Sequence, residues 1–381
     1  MKFLRALALV VLAVLPFDVG GAWYCRNNCD FWVAAYPPSD HRVRSEVYHH
    51  GFAPNRQITE AWGLNRYSYA TNSLGFKDAT PRTVDLRGSG KRVLFLGDSF
   101  TEGKGFAYSD TFVGRVAGEM AKQGIEVLNA GVDSSAPVVY WLKAKHLLET
   151  VGLKFDQVVV FLDISDIYDQ ARRYQWDGKG NLIVPPAPQP RVSDRARLWL
   201  RDVSIIARFG FVAYDHLAAI AAFVNQRLEI SRAWSKPLSD VDSYDRWLYS
   251  VTRMVFSAWT FDDDRWRAYG KQGRARAARD MDGLWEMLRN RGIGLTLAVY
   301  PWPDQLFHDA EAPRHQGFWR DWAADKNVPF ISLFPVFSKD TPRAVMERYF
   351  IPFDFHWNAE GHKLVAETFL EQFAPRPPSG R

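Results

Sequence analysis

Cysteine is scarce in this chain. Only Cys25 and Cys29 occur among the 381 residues. Because no other cysteine and no nearby histidine pair at ligand spacing accompanies them, they argue against a metal or redox centre. A C-x3-C pair can close a small disulfide loop in an oxidising compartment, and the sequence leaves open whether this pair is bridged.

Neither sign of charge dominates, and no lysine- or arginine-rich block is present. The chain has 48 basic and 43 acidic residues, with a formal net charge of +5. In residues 171–208 and 265–291 the basic side chains alternate with acidic residues and tryptophans. This pattern is typical of a solvated surface, so no nucleic-acid partner is expected.

The apolar run at the N-terminus is short. Residues 6–17 form it, after the basic Lys2 and Arg5. Twelve helical residues span about 18 Å, whereas a membrane hydrocarbon core is roughly 30 Å thick. Together with the small Ala22, the run therefore predicts a signal peptide over residues 1–22 and export of the protein. An uncleaved N-terminal anchor is the alternative.

The rest of the chain divides by pattern. Residues 23–90 lack helical periodicity and are rich in turn-formers, which predicts an irregular lead-in packed on the domain that follows. Residues 91–373 alternate apolar runs with helical spacing, which indicates a parallel sheet covered by helices on both faces, and 374–381 form a tail. The five predicted strands are 93–96, 125–131, 157–164, 294–300 and 329–334.

A long insertion, residues 166–270, separates the third predicted strand from the fourth. Ordered loops of this length usually form a cap or a binding surface. Its apolar stretch 203–224 contains Arg208, Asp215 and His216 and so does not read as a membrane span. A buried cap helix and an interfacial membrane helix are the two interpretations.

Gly97-Asp98-Ser99 follows the first predicted strand. In open parallel sheets ligands bind outside the carboxyl ends of the strands. The N–H groups of the next helix would point at a developing negative charge there. Ser99 is therefore a candidate nucleophile, although an ordinary strand-to-helix turn also explains a serine at this position.

Asp354-Phe355-His356 precedes the last predicted helix, residues 358–373. A serine hydroxyl is a poor nucleophile until a base removes its proton, and histidine is the usual base. A neighbouring carboxylate can fix the tautomer of the ring and stabilise the imidazolium. His356 and Asp354 are the candidates for these roles.

These motifs resemble those of the SGNH/GDSL hydrolase superfamily. Its serine motif is matched by residues 97–103, its glycine motif by 129–131 and its histidine motif by 356–362. The resemblance covers about residues 91–165 and 293–373. It implies a flavodoxin-like three-layer α/β/α sandwich, here with a largely helical insertion, a Ser-His-Asp triad, and neither metal nor cofactor.

The resemblance also implies individual roles. Ser99 would be the nucleophile, His356 the base and Asp354 the orienting carboxylate. The backbone N–H groups of Ser99 and Gly131 would donate to the oxyanion. Ser165 stands where the family usually has asparagine as third donor, and losing one such donor typically costs about 10²–10³ in rate.

The C-terminal motif departs from the usual family form. Aspartate lies two residues before His356 instead of three, and Trp357 follows. This Asp-x-His-Trp form resembles the alginate O-acetyltransferase branch, which acts on exported polysaccharide. Asp163 and Asp166, at the end of a predicted strand, would bind substrate hydroxyls or simply cap a turn.

The resemblance thus predicts an exported serine esterase, periplasmic or associated with the cell envelope, that hydrolyses acyl esters. An O-acetylated carbohydrate is the expected substrate, with a peripheral membrane or polysaccharide-assembly partner. A polysaccharide O-acetyltransferase with the same triad is the first alternative. A non-catalytic glycan-binding or scaffold protein on a degenerate hydrolase fold is the second.

Overall fold

The computed structural model describes residues 2–29, 41–62, 65–88, 90–177, 182–183, 192–233, 235–309, 311 and 313–373. The chain forms two compact units. The larger unit comprises Asp40–Val184 and Trp247–Arg381, and the smaller one Met1–Ser39 and Pro185–Arg246. The predicted tail 374–381 lies outside the described residues.

The strands among the described residues are β1 (Arg42–Ser45), β2 (His49–Phe52), β3 (Gln57–Trp62), β4 (Asn65–Thr71), β5 (Lys77–Asp78), β6 (Lys91–Gly97), β7 (Ile125–Asn129), β8 (Gln157–Leu162), β9 (Gly294–Val299) and β10 (Phe330–Ser332). The α-helices there are α1 (Lys2–Asn28), α2 (Ser99–Glu102), α3 (Phe112–Ala121), α4 (Pro137–His146), α5 (Asp166–Arg172), α6 (Val192–Val203), α7 (Ile205–Ala233), α8 (Ser243–Val251), α9 (Asp263–Arg265), α10 (Lys271–Arg289), α11 (Pro303–His308), α12 (Arg314–Lys326), α13 (Phe334–Phe337), α14 (Pro342–Tyr349) and α15 (Ala359–Gln372). Single turns of 3-10 or π helix lie at Tyr108–Asp110, Leu147–Val151, Leu238–Asp240, Ala258–Thr260 and Trp266–Gly270.

An eight-stranded sheet forms the centre of the larger unit, in the order β10-β9-β8-β6-β7-β5-β4-β3. Its strands β6 to β10 are parallel to one another. Numbered along the chain, these five strands have the spatial order 2-1-3-4-5, which is that of flavodoxin-like folds. The predicted three-layer fold with a parallel sheet of about five strands, and with a largely helical insertion, is confirmed.

The parallel strands are buried on both faces. Every residue of β8 and β9 is buried, as their continuous apolar sequences require of strands covered by helices on each side. On one face Phe95 of β6 contacts Phe112 of α3 and Phe369 of α15, with ring centroids 6.2 and 5.4 Å apart. Helices α4 and α5 pack against α10. The carboxyl ends of the parallel strands are thereby held at one edge of a rigid layer.

The lead-in is not irregular as predicted, because residues 42–78 contain the five strands β1 to β5. β3 and β4 form an antiparallel pair, and β5 joins them to the parallel sheet by pairing Lys77 with Asn129 of β7. The strands are short and mostly polar on one side, as in the Gln57–Trp62 sequence QITEAW. Such segments lack the continuous apolar character by which the buried strands were recognised.

The N-terminal helix continues through the predicted cleavage position after Ala22. Asp18 is only 8% exposed, and its Oδ1 accepts a hydrogen bond of 2.8 Å from the N–H of Ile206. That N–H lies in the first turn of α7, where backbone donors have no partner within the helix. The predicted signal segment thus contributes a capping group to the smaller unit.

Cys25 and Cys29 form a disulfide in the same unit. Cys25 and Ala22 are buried together, and Cys29 and Ile205 pack against them. The bridge therefore lies beside the first residue of α7. None of the described helices is both long enough and apolar enough to cross a membrane.

The apolar stretch of the insertion belongs to α7. Phe209, Tyr214 and Leu217 are each more than half exposed, at 56%, 63% and 65%. A fully buried cap helix does not describe this segment. Residues 185–246 of the insertion belong to the smaller unit, whereas 247–270 belong to the larger one.

Two glycines of α3 provide a matched test of packing. A methyl group on Gly114 would lie 1.8 Å from the carbonyl oxygen of Tyr108, whereas one on Gly118 would meet nothing within 4 Å. We expect Gly114→Ala to lower the free energy of unfolding by about 1–3 kcal/mol, because the helix must shift. Gly118→Ala should raise it by about 0.5–1 kcal/mol, because alanine is the better helix former. Urea denaturation measures both changes, and equal stability of the two variants would contradict the close approach.

Candidate active site

The turn after β6 places Ser99 at the carboxyl edge of the sheet. Gly97 ends the strand, and a Cβ atom there would lie 2.1 Å from Oγ1 of Thr101, so no side chain fits. Asp98 is the N-cap of the short helix α2, which starts at Ser99. Ser99 is 4% exposed. The tight turn therefore fixes the serine hydroxyl at the end of the central strand.

The structure brings the three predicted triad residues together. His356 Nε2 lies 2.8 Å from Ser99 Oγ, and His356 Nδ1 lies 2.6 Å from Asp354 Oδ1. A carboxylate accepts hydrogen bonds, so it selects the tautomer with the proton on Nδ1. Nε2 is then free to accept the proton of the serine hydroxyl. This arrangement can activate a serine for attack on a carbonyl carbon.

The Asp354 carboxyl is held in its anionic form. Burial raises the pKa of Asp354, but hydrogen bonds from the side chain and backbone of His356 and from Trp62 outweigh burial. The pKa consequently lies below its ordinary value. An anion at this place stabilises the imidazolium that forms when His356 takes a proton.

The shortened Asp-x-His spacing is accommodated by a local turn. Oδ1 of Asp354 accepts two hydrogen bonds from His356. One comes from the backbone N–H, at 2.8 Å, and the other from the ring Nδ1. Phe353, just before, has φ of +66°, in the left-handed region that non-glycine residues rarely adopt. The backbone is therefore bent so that aspartate and histidine share one turn.

Two backbone N–H groups converge on the side chain of Asp98. Its Oδ1 accepts hydrogen bonds from the N–H of Ser99 and from the N–H of Ser134, the latter at 2.5 Å. Ser134 has φ of +63° and was not among the predicted donors. The N–H of Ser99 thus points at a carboxyl oxygen of the preceding residue.

The other two predicted oxyanion donors also have partners within the protein. The N–H of Gly131 donates to Asn129 Oδ1 at 3.0 Å. Oγ of Ser165 donates to Asp163 Oδ1 at 2.7 Å and lies 3.3 Å from Asp98 Oδ2. The structure therefore orients the Ser165 hydroxyl towards buried carboxyl groups.

Asp163 and Asp166, predicted to contact substrate hydroxyls, lie instead in the interior with 0% exposure. Asp163 Oδ2 accepts hydrogen bonds from the hydroxyl of Tyr300 and from Nε1 of Trp302. Asp166 accepts from the hydroxyl of Tyr140 at 3.0 Å and from the backbone N–H of Asp163 at 3.1 Å. Their donors come from the protein, and this placement corrects the prediction of substrate contact.

Asp98, Asp163 and Asp166 form a group of buried carboxyls, and one oxygen from each lies within 4.8 Å of the other two. Burial, followed by repulsion from neighbouring carboxyls, raises the pKa of Asp98 and Asp166 well above the ordinary value. Burial likewise raises the pKa of Asp163. The spacing would suit a metal ion, but each carboxyl already accepts hydrogen bonds from protein donors. Burial therefore shifts these three carboxyls towards their protonated forms.

The surroundings of His356 include residues that sequence reasoning missed. Nε1 of Trp62 donates to Asp354 Oδ2 at 2.6 Å, and Nε1 of Trp247 donates to the Asp354 carbonyl oxygen at 2.8 Å. The ring centroids of Phe100 and Phe355 lie 4.9 and 4.2 Å from that of His356. The two phenylalanines could have been found from the sequence, because Phe100 follows Ser99 and Phe355 precedes His356. The two tryptophans lie outside these motifs, so the sequence gives no signal for them.

The buried carboxyl group leads to a prediction about pH. Because burial raises the pKa of Asp166 in the native state, the folded chain holds this proton to a higher pH than the unfolded chain, which releases it above about pH 4. The stability from this group is therefore complete below that pH and is lost as pH rises towards the native pKa. We expect Asp166→Asn to make the decline of stability between pH 5 and 8 shallower, by up to roughly 1.4 kcal/mol per pH unit.

Urea denaturation at several pH values measures that slope. Asp321→Asn, which removes an exposed carboxylate, is the control. The same slope in wild type and Asp166→Asn would contradict a proton held at this site.

No family model matches the chain, and no curated protein matches it. Solved structures of similar fold include the acetyl xylan esterase AlAXEase, with 14% identity over 74% of this chain and 98% of that one, and a TM-score of 0.38. A mutant acetylxylan esterase from Geobacillus stearothermophilus has 14% identity over 75% and 94%, with a TM-score of 0.37. A putative G-D-S-L family lipolytic protein from Desulfitobacterium hafniense has 13% identity over 74% and 99%, with a TM-score of 0.37. Because the sequence identities and TM-scores are this low, these similarities give no evidence about the activity of the present chain.

Proposed function

We propose that this chain is a serine-dependent hydrolase of acyl esters, acting on O-acetyl groups of a carbohydrate. The observation that carries the proposal is the continuous hydrogen-bonded series from Ser99 Oγ through His356 to Asp354 Oδ1. It lies at the carboxyl edge of a parallel sheet, where open α/β folds bind their ligands. A carbohydrate is proposed as the substrate because the Asp-x-His-Trp motif resembles that of the alginate O-acetyltransferase branch.

The reaction would take two steps. Ser99 Oγ attacks the ester carbonyl carbon while His356 Nε2 takes the hydroxyl proton. The carbon–oxygen bond to the alcohol then breaks, and His356 returns the proton to the departing alkoxide. In the second step a water molecule gives its proton to His356 and attacks the acyl-enzyme, releasing the carboxylic acid and the serine hydroxyl.

The tetrahedral intermediate needs hydrogen-bond donors for its negative oxygen. The N–H groups of Ser99 and Gly131, which now donate to Asp98 and Asn129, would turn to this oxyanion. The raised pKa of Asp98 favours its neutral form. A neutral carboxyl accepts hydrogen bonds more weakly than a carboxylate, so it gives up the Ser99 N–H at lower cost.

Export and retention of the N-terminal helix are part of the proposal. The basic and apolar start of the chain supports export. Retention is supported by the Asp18 bond to Ile206 and by the burial of Ala22, since cleavage after Ala22 would remove both residues. The helix would then remain part of the exported protein.

The proposed mechanism makes catalysis by the full chain depend on Ser99 and His356. We expect it to hydrolyse 4-nitrophenyl acetate, and Ser99→Ala and His356→Ala each to lower kcat by about 10³-fold or more, because the residues act as one unit. Ser109→Ala, an exposed serine of the same unit, is the control and should keep full activity. Turnover that survives Ser99→Ala would eliminate the serine mechanism.

Product analysis separates hydrolysis from transfer. With an acetylated oligosaccharide as donor and an unacetylated one as acceptor, a hydrolase releases acetate, whereas an O-acetyltransferase moves the acetyl group to the acceptor. Acetylated acceptor that depends on Ser99 would replace the hydrolase proposal by the transferase.

Retention of the N-terminal helix means that the chain is not cleaved after Ala22. Intact-mass measurement of the protein recovered from the envelope of its own host should give the mass with residues 1–22 included. We expect Asp18→Ala to destabilise the smaller unit by about 1 kcal/mol, the usual cost of losing a capping acceptor. A recovered chain that begins at Trp23 would refute retention.

A further inference from the structure

We propose that Trp62 is a positioning residue of the triad, whose indole N–H holds the Asp354 carboxylate in the orientation that serves His356. The inference rests on the proposed function for its kinetic test, and on geometry alone for its titration test. Trp62 comes from the lead-in, 292 positions before Asp354.

The two oxygens of Asp354 have separate donors. Oδ1 accepts from the backbone N–H and the ring Nδ1 of His356, at 2.8 and 2.6 Å. Oδ2 accepts from Trp62 Nε1 at 2.6 Å. With two donors on Oδ1 and one on Oδ2, rotation of the carboxylate about its Cβ–Cγ bond would break hydrogen bonds at both oxygens.

The Asp-x-His spacing explains why an outside donor is needed. Because Asp354 and His356 share one turn, both hydrogen bonds that His356 donates to the carboxylate go to Oδ1. The Asp354 side chain remains 18% exposed, so without Trp62 water would compete for Oδ2. A donor from another part of the fold orients the carboxylate without lengthening the turn.

Trp62 is itself held in place. It ends β3 and pairs with Asn65 of β4, which belongs to the main sheet. Lys104 Nζ lies 4.3 Å from the centre of its ring, within cation–π range, and forms an ion pair with Asp133. The ring stands at 86° to that of His356, with centroids 5.6 Å apart. The indole is therefore fixed by the sheet, by a buried cation and by the catalytic histidine.

The sign of the electrostatic effect follows from these contacts. His356, on the turn of Asp354, and Lys104, against the indole, are titratable groups next to this pair in the part of the chain that the structure describes. A donor to the charged form of an acid lowers its pKa, so removing the Trp62 N–H should raise the pKa of Asp354.

The kinetic experiment compares Trp62→Phe with Trp322→Phe in the full chain. Trp322 also donates its indole N–H to a carboxylate, that of Asp282, so the control loses the same kind of bond elsewhere. We expect Trp62→Phe to lower kcat for 4-nitrophenyl acetate about tenfold with KM within twofold, which matches one lost hydrogen bond to a charged group. Trp322→Phe should leave both constants unchanged.

Repeating Trp62→Phe in the Asp354→Ala background tests whether the effect passes through the carboxylate. There we expect less than a twofold further change in kcat, because the group that Trp62 orients is already gone. A tenfold loss in both backgrounds, an effect on KM alone, or an unchanged kcat would overturn the proposal.

A titration gives a readout that does not depend on turnover. The carboxyl ¹³C resonance of Asp354, followed by NMR, should show a midpoint about one pH unit higher in Trp62→Phe than in wild type. If the wild type hydrolyses no ester and the midpoint still moves, the proposed function fails and the positioning role stands. An unmoved midpoint overturns the positioning role, whether or not the enzyme is active.

Discussion

The hydrogen bond between His356 Nε2 and Ser99 Oγ joins two positions 257 residues apart, and the rest of the site depends on it. Two chain segments that distant meet because a parallel sheet returns every strand to the same edge. β6, which precedes Ser99, lies between β7 and β8 in the middle of the parallel strands. The turn before α15 brings His356 over the end of that central strand. Displacement of either element would separate the histidine ring from the serine hydroxyl.

The same edge of the sheet contains acids in two opposite electrostatic states. Asp98, Asp163 and Asp166 are buried close together, so charging all of them would cost both desolvation and mutual repulsion. Asp354 is held as an anion by donors on both of its oxygens. The negative charge is thus placed beside the histidine, where a proton has to be stabilised. Beneath the serine, the interior stays polar without accumulating charge.

The sequence allowed the five parallel strands to be predicted, because buried strands are continuously apolar. It also allowed Ser99, His356 and Asp354 to be predicted as neighbours, because their motifs lie at strand or helix ends that the fold brings to one edge. β3 and β4 escaped prediction because they lack the continuous apolar runs by which the buried strands were recognised. Trp62 and the inward direction of the Ser165 hydroxyl depend on three-dimensional contacts. No local pattern encodes such contacts, and the resemblance that suggested Ser165 as a donor could not reveal its orientation.

The order of the groups along the chain has a consequence for biosynthesis. Trp62 and Ser99 are synthesised well before Asp354 and His356, which follow β10 and precede α15. During translation, the residues of β6, β7 and β8 and the turn that carries Ser99 are made before His356 exists. Until then the serine has no proton acceptor on the neighbouring turn. The serine–histidine pair is thus expected to form only after residues 354–356 have been synthesised.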